Sequence, residues 1–323
     1  MRIPKSFLAV TVVFCFFAFQ SCKKNYGQAP PTGPVIMPDT LTAGWSKTIV
    51  QATNLSDIVF NSSTTGYLVG SKIYKSTDGG NTWIEVSGIS GLYNIFITND
   101  SKAFFVGQYN AIYKTVDGGS NFTNTTIAAT TYDVFFTGNT NGYCVAQDGL
   151  YNTTDAGVTW VKLATTGLPV TTNYSTLSFV NNTTGWVLLA GGIYKTNGSN
   201  LNWQQALVNG NTQTTGFGSV YATSASNVYV SNYGGQIFKS TDGGVNFSLI
   251  KQLNESGYAD LHFLTDLIGY VSVGRHIYKT TDGGLNWAKV VTLGQGSITE
   301  IHFTDATHGW ACGSDGVVLL FRQ

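Results

Sequence analysis

From residue 44 onward the chain reads as short runs in which apolar residues alternate with polar ones or follow one another, each run bounded by Gly, Asn, Ser or Thr. The first set is "SDIVF" (56 to 60), "TGYLVG" (65 to 70), "KIYKS" (72 to 76) and, after a turn, "TWIEV" (82 to 86). Runs of this length and period predict β-strands. Four of them fit into about 40 residues, the size of one propeller blade. The opening strand of the set returns as "YNIFI", "YDVFF", "STLSF", "GSVYA", "ADLHF" and "TEIHF", beginning at Tyr93, Tyr132, Ser175, Gly218, Ala259 and Thr299. Seven sets are therefore expected.

The segment between the third and fourth strands repeats more tightly still. "KSTDGGNTW" (75 to 83) recurs as "KTVDGGSNF", "NTTDAGVTW", "KTNGSNLNW", "KSTDGGVNF" and "KTTDGGLNW". The six copies start at Ser76, Thr115, Thr153, Thr196, Ser240 and Thr280, spaced 39, 38, 43, 44 and 40 residues apart. A catalytic centre is built once, whereas recurrence at a steady interval marks a structural device, so the phrase reads as a turn. Its residue types suit that role. Gly79 and Gly80 can take positive φ at little cost, and Asp78 can accept backbone N–H bonds across the loop. Asp117, Asp155, Asp242 and Asp282 stand at the same place in their copies. The closing aromatic of each copy, such as Trp83 or Phe122, is expected to wedge against neighbouring strands. The fourth copy has Gly198 where the others have Asp, so the loop from 197 to 201 is expected to be the most mobile.

The seventh set lacks a turn phrase and stops at Gln323 after three strands. Its missing strand is found at the other end of the domain, where "GWSKTIV" (44 to 50) places Trp45 in the position of Trp83. Pairing the two hides sheet edges that otherwise invite aggregation. Residues 44 to 323 number 280, or 40 for each of seven sets. The chain is thus expected to be all-β: a seven-bladed β-propeller of four-stranded blades, its ring closed by an N-terminal strand that completes the last blade.

Only 11% of residues are charged, while aromatics reach 13% and glycine numbers 38, a composition suited to short strands and tight turns. Residues 1 to 21 contain Arg2 and Lys5, and without them 15 basic face 17 acidic groups, which leaves no electrostatic footprint for nucleic acid. The apolar run from 7 to 19 is too short to span a bilayer and has the size of a signal-peptide core. It ends in "FQSC", which resembles the bacterial lipobox, in which the cysteine, here Cys22, becomes the lipidated first residue. Phe19 and Gln20 depart from the usual Leu and small residue of that motif, and an ordinary secretory signal is the other reading. Lys23 and Lys24 follow. In Gram-negative lipoproteins an Asp at the first of these positions marks inner-membrane retention, so the resemblance implies outer-membrane sorting. Residues 22 to 43 hold Pro30, Pro31, Pro34 and Pro38 and read as an extended tether. Cys144 and Cys312 fall in the third and seventh sets, which are not neighbours, so two buried thiols are expected in place of a disulfide.

The form Ser/Thr-x-Asp-x-Gly-x-Thr/Asn-Trp/Phe resembles the Asp-box, or BNR repeat, of sialidases, sortilin-type receptors, two-propeller xyloglucanases and photosystem II assembly factors. With "DGG" in four of six copies, a period near 40 and seven sets, the chain is most similar to the last of these. That family forms single seven-bladed propellers that bind partner proteins. The resemblance spans 44 to 323 and implies a fold far more than an activity.

Enzymatic readings meet the composition. Sialidases grip a carboxylate with three arginines, but only Arg275 and Arg322 remain beyond residue 21. A glycosidase needs two carboxylates, and Asp57, Asp133, Asp260 and Glu300 all stand at one repeat position on the innermost strands, shared with Asn94, Thr176 and Ser219. A polar column of this kind reads as a hydrogen-bonding device along the channel. A carbohydrate-active hydrolase using two channel acids is the alternative. His262 and His302, two residues beyond Asp260 and Glu300, are expected to approach each other near the axis, yet no tight ligand spacing supports a zinc site. The single carboxylate of each turn does not make a calcium loop. No metal and no cofactor are expected. The reading that results is a lipid-anchored, extracytoplasmic, monomeric propeller that binds a protein or glycan without catalysis. Its site is expected where Asp57, Asp260, His262, Glu300 and His302 converge, with Arg275 adding a positive contact.

Overall fold

The computed structural model describes residues 37–52, 54–164, 166–169, 174–189, 192–198, 202–212 and 216–323. The expected signal segment, Cys22 and most of the proline-rich stretch lie outside the described residues, as do residues 199–201 of the turn expected to be the most mobile. Every regular element among the described residues is a strand, and the strands form seven sheets, each built on four antiparallel core strands that in blades 1 to 6 run in chain order from the axis outward. Blade 1 runs Leu55–Phe60, Gly66–Gly70, Ile73–Ser76 and Ile84–Ser87. The innermost strands of the next six blades are Leu92–Asn99, Thr131–Phe136, Tyr174–Asn181, Phe217–Ala222, Ala259–Phe263 and Ile298–Phe303. They pack side by side in that order around the axis, and the last packs against the first. The fold is a seven-bladed β-propeller.

The ring closes as the sequence predicts. Trp45–Ile49 pairs antiparallel with Val317–Arg322, with Trp45 opposite Phe321 and Ile49 opposite Val317, so blade 7 takes its outer strand from the start of the domain. Two blades carry more than four strands. Leu207–Val208 lies parallel to Asn246–Gln252 on blade 5, and Thr40–Leu41 pairs with Ala288–Thr292 on blade 6. The end of the stretch read as an extended tether is therefore paired to blade 6. Asp39 reinforces it, accepting the Gly294 N–H at 2.7 Å and the Lys47 Nζ at 2.6 Å.

Neighbouring blades are locked by a layered aromatic contact. The ring that ends an innermost strand lies flat on an aromatic from the second strand of the preceding blade: Phe60 on Trp310 at 3.7 Å, Phe136 on Phe104 at 4.1 Å and Phe179 on Tyr143 at 4.2 Å. Phe263 lies on Tyr229 at 3.8 Å and Phe303 on Tyr270 at 4.0 Å. The closing tryptophan of the same blade meets this phenylalanine edge-on, as Trp83 meets Phe60 at 80° and Trp160 meets Phe136 at 83°. Trp45 meets Phe303 in the same way at 86°, which confirms that it stands in for the missing turn aromatic of blade 7.

This stacking dictates a glycine directly opposite each phenylalanine. A Cβ on Gly66, Gly142, Gly185, Gly269 or Gly309 would fall 2.2 to 2.7 Å from the facing ring, closer than side-chain carbons approach. Where the phenylalanine is absent the glycine is absent too: Ile97 faces Ala103 in blade 2, and Ala222 faces Val228 in blade 5. The pair keeps its summed bulk, as close packing requires.

The turn phrase is a self-contained hydrogen-bonded knot. In blade 1 the Ser76 hydroxyl donates to Asp78 Oδ1 at 2.8 Å and accepts the Gly80 N–H at 2.8 Å, while Asp78 accepts the Thr82 N–H at 2.9 Å and the Thr82 hydroxyl at 2.6 Å. Gly79 and Gly80 sit at φ of 78° and 90°, where an L side chain is strained. Asp117, Asp155, Asp242 and Asp282 each accept a backbone N–H four residues on in the same way. In the fourth copy, with no carboxylate, the Thr196 hydroxyl donates to the Asn202 carbonyl instead. The knots also bind blade to blade. Trp310 Nε1 donates to the Gly79 carbonyl at 2.8 Å, Trp186 Nε1 to Gly243 at 3.1 Å, and the Tyr229 hydroxyl to Gly283 at 3.3 Å. Cys144 and Cys312 are free and fully buried.

The Phe–Gly complementarity is testable by a double-mutant cycle. Phe60→Ala alone should cost about 3 to 5 kcal/mol, and Gly66→Val alone should destabilise through overpacking by about 1 to 3 kcal/mol or more. The double variant reproduces the Ala222–Val228 pair of blade 5, and urea melts should find it more stable than the summed losses imply, by at least about 1 kcal/mol. Strictly additive losses would show that the ring and the glycine do not read each other.

Candidate functional site: the channel mouth

The start of each innermost strand borders the axial channel on the face opposite the turn knots. A β-bulge occurs there in six of the seven blades, between Leu55 and Asp57, Leu92 and Asn94, Thr131 and Asp133, and at the matching places in blades 4, 5 and 7. A bulge lets two consecutive side chains share one face. It turns Tyr93 and Tyr132 toward the mouth beside Asn94 and Asp133, and all four line a single cavity of about 540 Å³.

The polar column lies at this mouth, and four of its members, Asp57, Asp133, Ser219 and Asp260, reach across to a backbone N–H of the next blade. Asp57 Oδ2 accepts the Ile95 N–H at 2.6 Å. Asp133 Oδ2 accepts the Leu177 N–H at 2.9 Å and the Thr176 hydroxyl at 2.7 Å. The Ser219 hydroxyl accepts the Leu261 N–H at 3.3 Å, and Asp260 Oδ2 the Ile301 N–H at 3.2 Å. These N–H groups belong to innermost strands, each the edge of its sheet, so the column staples successive blades, the hydrogen-bonding role expected of it. Glu300 instead hydrogen-bonds Asp260. Asn94 differs from all of these. Its Oδ1 is shut off from solvent and accepts nothing from the protein.

Crowding acids into this floor changes their protonation. Burial, opposed by the Ile95 N–H bond and helped by the charges of Asp133 and Asp260, pushes Asp57 up to about 8. Burial also raises Asp133, to about 6, against the pull of its bonds to Leu177 and Thr176. Asp260 and Glu300 are raised by burial as well, Glu300 further by the Asp260 charge. Two carboxyls in hydrogen-bonding contact share a proton more readily than both ionise.

The structure divides the expected site residues among three places. Asp260 and Glu300 meet on the floor of the mouth together with Asp133, while Asp57 is buried out of the cavity but close enough to feel the charges of Asp133 and Asp260. His262 and His302 come together as expected, with ring centroids 5.2 Å apart, but one layer deeper in the channel. There His302 Nε2 lies 2.9 Å from the Phe60 carbonyl, and Tyr221 packs on His262 at 5.1 Å. Burial drives both imidazoles down, His302 to about 4, so both are neutral at pH 7. Arg275 lies on the same face but in a separate, open depression, which shares only Tyr258 and Ser297 with the mouth. Among the described residues no group of three or more His, Cys, Asp or Glu is placed to hold a metal ion.

Four tyrosines missing from the expected site complete it. Tyr93 and Tyr132 stack at 6.1 Å and 9°, and across the mouth Tyr233 and Tyr258 meet edge-on at 6.1 Å. Tyr258 is 61% exposed, which puts its ring within reach of a ligand. Strict alternation assigns Tyr93 and Tyr132 to the face opposite their polar neighbours, and the bulges reverse this.

The second arginine, Arg322, lies at the other face, where its guanidinium sits 4.7 Å from the Trp310 ring and donates to the Gly79 carbonyl. The two arginines therefore do not converge on a carboxylate ligand.

A seven-bladed propeller with Asp-box turns and a tyrosine-rimmed, acid-floored channel is the class of protein defined by this arrangement. No known family profile matches the chain, and no curated protein matches it. Among solved structures it is similar to YCF48 bound to a D1 peptide, at 18% identity and a TM-score of 0.72 over 89% of this chain and 99% of that one. YCF48 from Cyanidioschyzon merolae matches at 19% identity and 0.70, over 87% and 99%. A catalytically inactive virginiamycin B lyase from Staphylococcus aureus, solved with quinupristin, matches at 12% identity and 0.72, over 86% and 99%. At such identities the likeness shows the fold, which hosts binders and catalysts alike.

The two classes of carboxylate give stability a maximum in mild acid. For Asp57 and Asp133 the folded state holds protons that an unfolded Asp, near 3.8, has released, so their contribution is full below about pH 4 and is lost as pH rises through about 6 and 8. For Asp117 the bonds from the Asn121 amide and N–H lower the pKa to about 2, so its contribution is present above 3.8 and is lost as pH falls toward 2. Asp57→Asn, which copies the residue of blade 2, should flatten the fall in urea midpoint between about pH 4 and 8. Parallel curves for the two proteins would contradict the assignment of that fall to Asp57.

Proposed function

We propose that this protein is a non-catalytic binding scaffold, held at the outer membrane by lipid on Cys22, that captures a partner protein at the channel mouth. The observation that carries this reading is what the floor carboxyls do. Three of the four hold backbone N–H groups of the next blade, so they are built into the frame as fixed acceptors. The fourth, Glu300, hydrogen-bonds Asp260, whereas the paired acids of a glycosidase stand apart across the scissile bond. Tyrosine rings at a concave rim are a common binding anchor, since they offer large contact area at low entropic cost.

Two features of the comparisons support a protein ligand. YCF48 was solved with a peptide, and its fold spans nearly the same length as this one. The N-terminal features support the location: a basic start, a short apolar core and a cysteine directly after a small residue, followed by Lys23 and Lys24 in place of an inner-membrane retention signal. No helix of the described residues is long and apolar enough to cross a membrane. A monomer is sufficient, because the ring supplies its own closing strand.

Affinity capture from an envelope extract tests the reading. Tyr132→Ala and Tyr258→Ala should each lose at least about 90% of a partner retained by the parent protein, the effect of roughly 1.4 kcal/mol, with unchanged melting. Capture unaffected by both would remove the mouth as the site. Release of sugar from xyloglucan, cello- or chito-oligosaccharides at a rate abolished by Glu300→Gln would overturn the non-catalytic reading.

A further inference from the structure

We infer that the ligand group seated in the channel mouth is a cation, the ammonium or guanidinium of a lysine or arginine presented by a partner protein. This rests on the mouth being the binding site and goes further by naming what enters it. The first observation is a mismatch of hydrogen-bonding types. The floor offers the carboxyl oxygens of Asp133, Asp260 and Glu300, and none of the residues lining the cavity is Lys, Arg or His. The two histidines below are neutral, and Arg275 lies outside the cavity. The carboxyl charge is thus balanced by protons and not by a protein cation.

The second observation is independent of charge. Asn94 Oδ1 occupies the column position from which its counterparts grip the next blade, yet it is buried and accepts no hydrogen bond. A buried acceptor left empty costs about 1 to 3 kcal/mol, and a donor entering the cavity would relieve it. Lysine and arginine heads carry donors only, three and five respectively, which matches a floor of acceptors. The third observation is the wall. Tyrosine faces attract cations through the ring quadrupole, and the stacked Tyr93–Tyr132 pair and the exposed Tyr258 flank the entrance. A neutral sugar would use the rings but would bring acceptors as well as donors to a floor rich in acceptors.

Isothermal titration of the full chain, purified in detergent, with blocked pentaglycine peptides carrying one central Lys, Arg, Gln or Glu provides the test. Lys and Arg peptides should bind at least about tenfold more tightly than the Gln peptide, and the Glu peptide should not bind. Binding near pH 7 should release protons, seen as a dependence of the heat on buffer ionisation enthalpy, since the cation displaces protons from the floor. Glu300→Gln, Asp133→Asn and Tyr132→Ala should each weaken the Lys peptide several-fold, whereas Arg275→Ala should leave it unchanged; using three variants guards against one that fails to fold. Equal binding of the Gln and Lys peptides, or binding insensitive to all three, would overturn the inference. If chito-oligosaccharide binds in a Tyr132-dependent way while the cationic peptides do not, the mouth remains the site and the cation is wrong. If neither binds and partner capture is also insensitive to Tyr132→Ala, both readings fall. Calcium binding that is lost in Glu300→Gln, with no peptide binding, would likewise overturn it.

Discussion

The wheel depends on one contact repeated between blades: a phenylalanine at the end of an innermost strand, laid over a glycine of its own sheet and under an aromatic of the sheet before it. Hydrogen-bonded ladders hold each blade together, but they run within sheets and give no reason for seven sheets to gather. The flat contact between Phe60 and Trp310, or between Phe263 and Tyr229, does. It places one ring from each of five blades against its neighbour, with a tryptophan edge sealing the outside, and it buries Trp310, Phe104, Tyr229 and Tyr270 almost completely. Because the same tryptophan belongs to the turn knot, a turn that looks like a surface loop is part of the core. Its carbonyls accept the indole N–H of Trp310 and Trp186 from the preceding blade.

At the channel the constraint is different. Seven innermost strands converge on an axis too narrow for a core of large side chains, and their backbones present N–H groups toward one another. The carboxyl column meets this demand, and it has a cost: four acids share one small space, and their pKa values rise. The charge pattern that suits the mouth for a ligand is thus a by-product of the way the ring is stapled, tuned by which blades carry Asp or Glu and which carry Asn, Thr or Ser. Blades 3, 6 and 7 bring a carboxyl to the mouth, blades 2, 4 and 5 bring Asn, Thr and Ser, and the carboxyl of blade 1 is buried.

Most of the fold was legible from residue types because each feature has a local cause. The serine or threonine, aspartate and glycine of the turn form their knot within eight residues, so the phrase announces itself wherever it occurs. Trp45 was recognisable as a displaced turn aromatic because its neighbours match the fourth strand of other blades. The acids and histidines were placed correctly on innermost strands by alternation, and the histidine pair does meet. What escaped has non-local causes. The bulges that bring Tyr93 and Tyr132 to the mouth arise where strands must bend into the axis, and nothing in "YNIFI" or "YDVFF" marks the extra residue. Tyr233 and Tyr258 come from two different loops that only the ring brings together. The pairing of Thr40 and Leu41 with blade 6 likewise depends on where the chain enters the wheel, which residues of weak strand pattern do not reveal.

Native-state hydrogen exchange bears most directly on whether cross-blade contact, and not strand pairing within blades, governs this protein. In a closed ring held in this way, removing any blade opens two interfaces at once, so the slowest amides of all seven innermost strands should open with a single common free energy, including blades 2 and 5, where Ile97–Ala103 and Ala222–Val228 replace the phenylalanine and glycine. Protection that steps down from blade to blade, as in an open solenoid whose repeats unfold from an end, would contradict it.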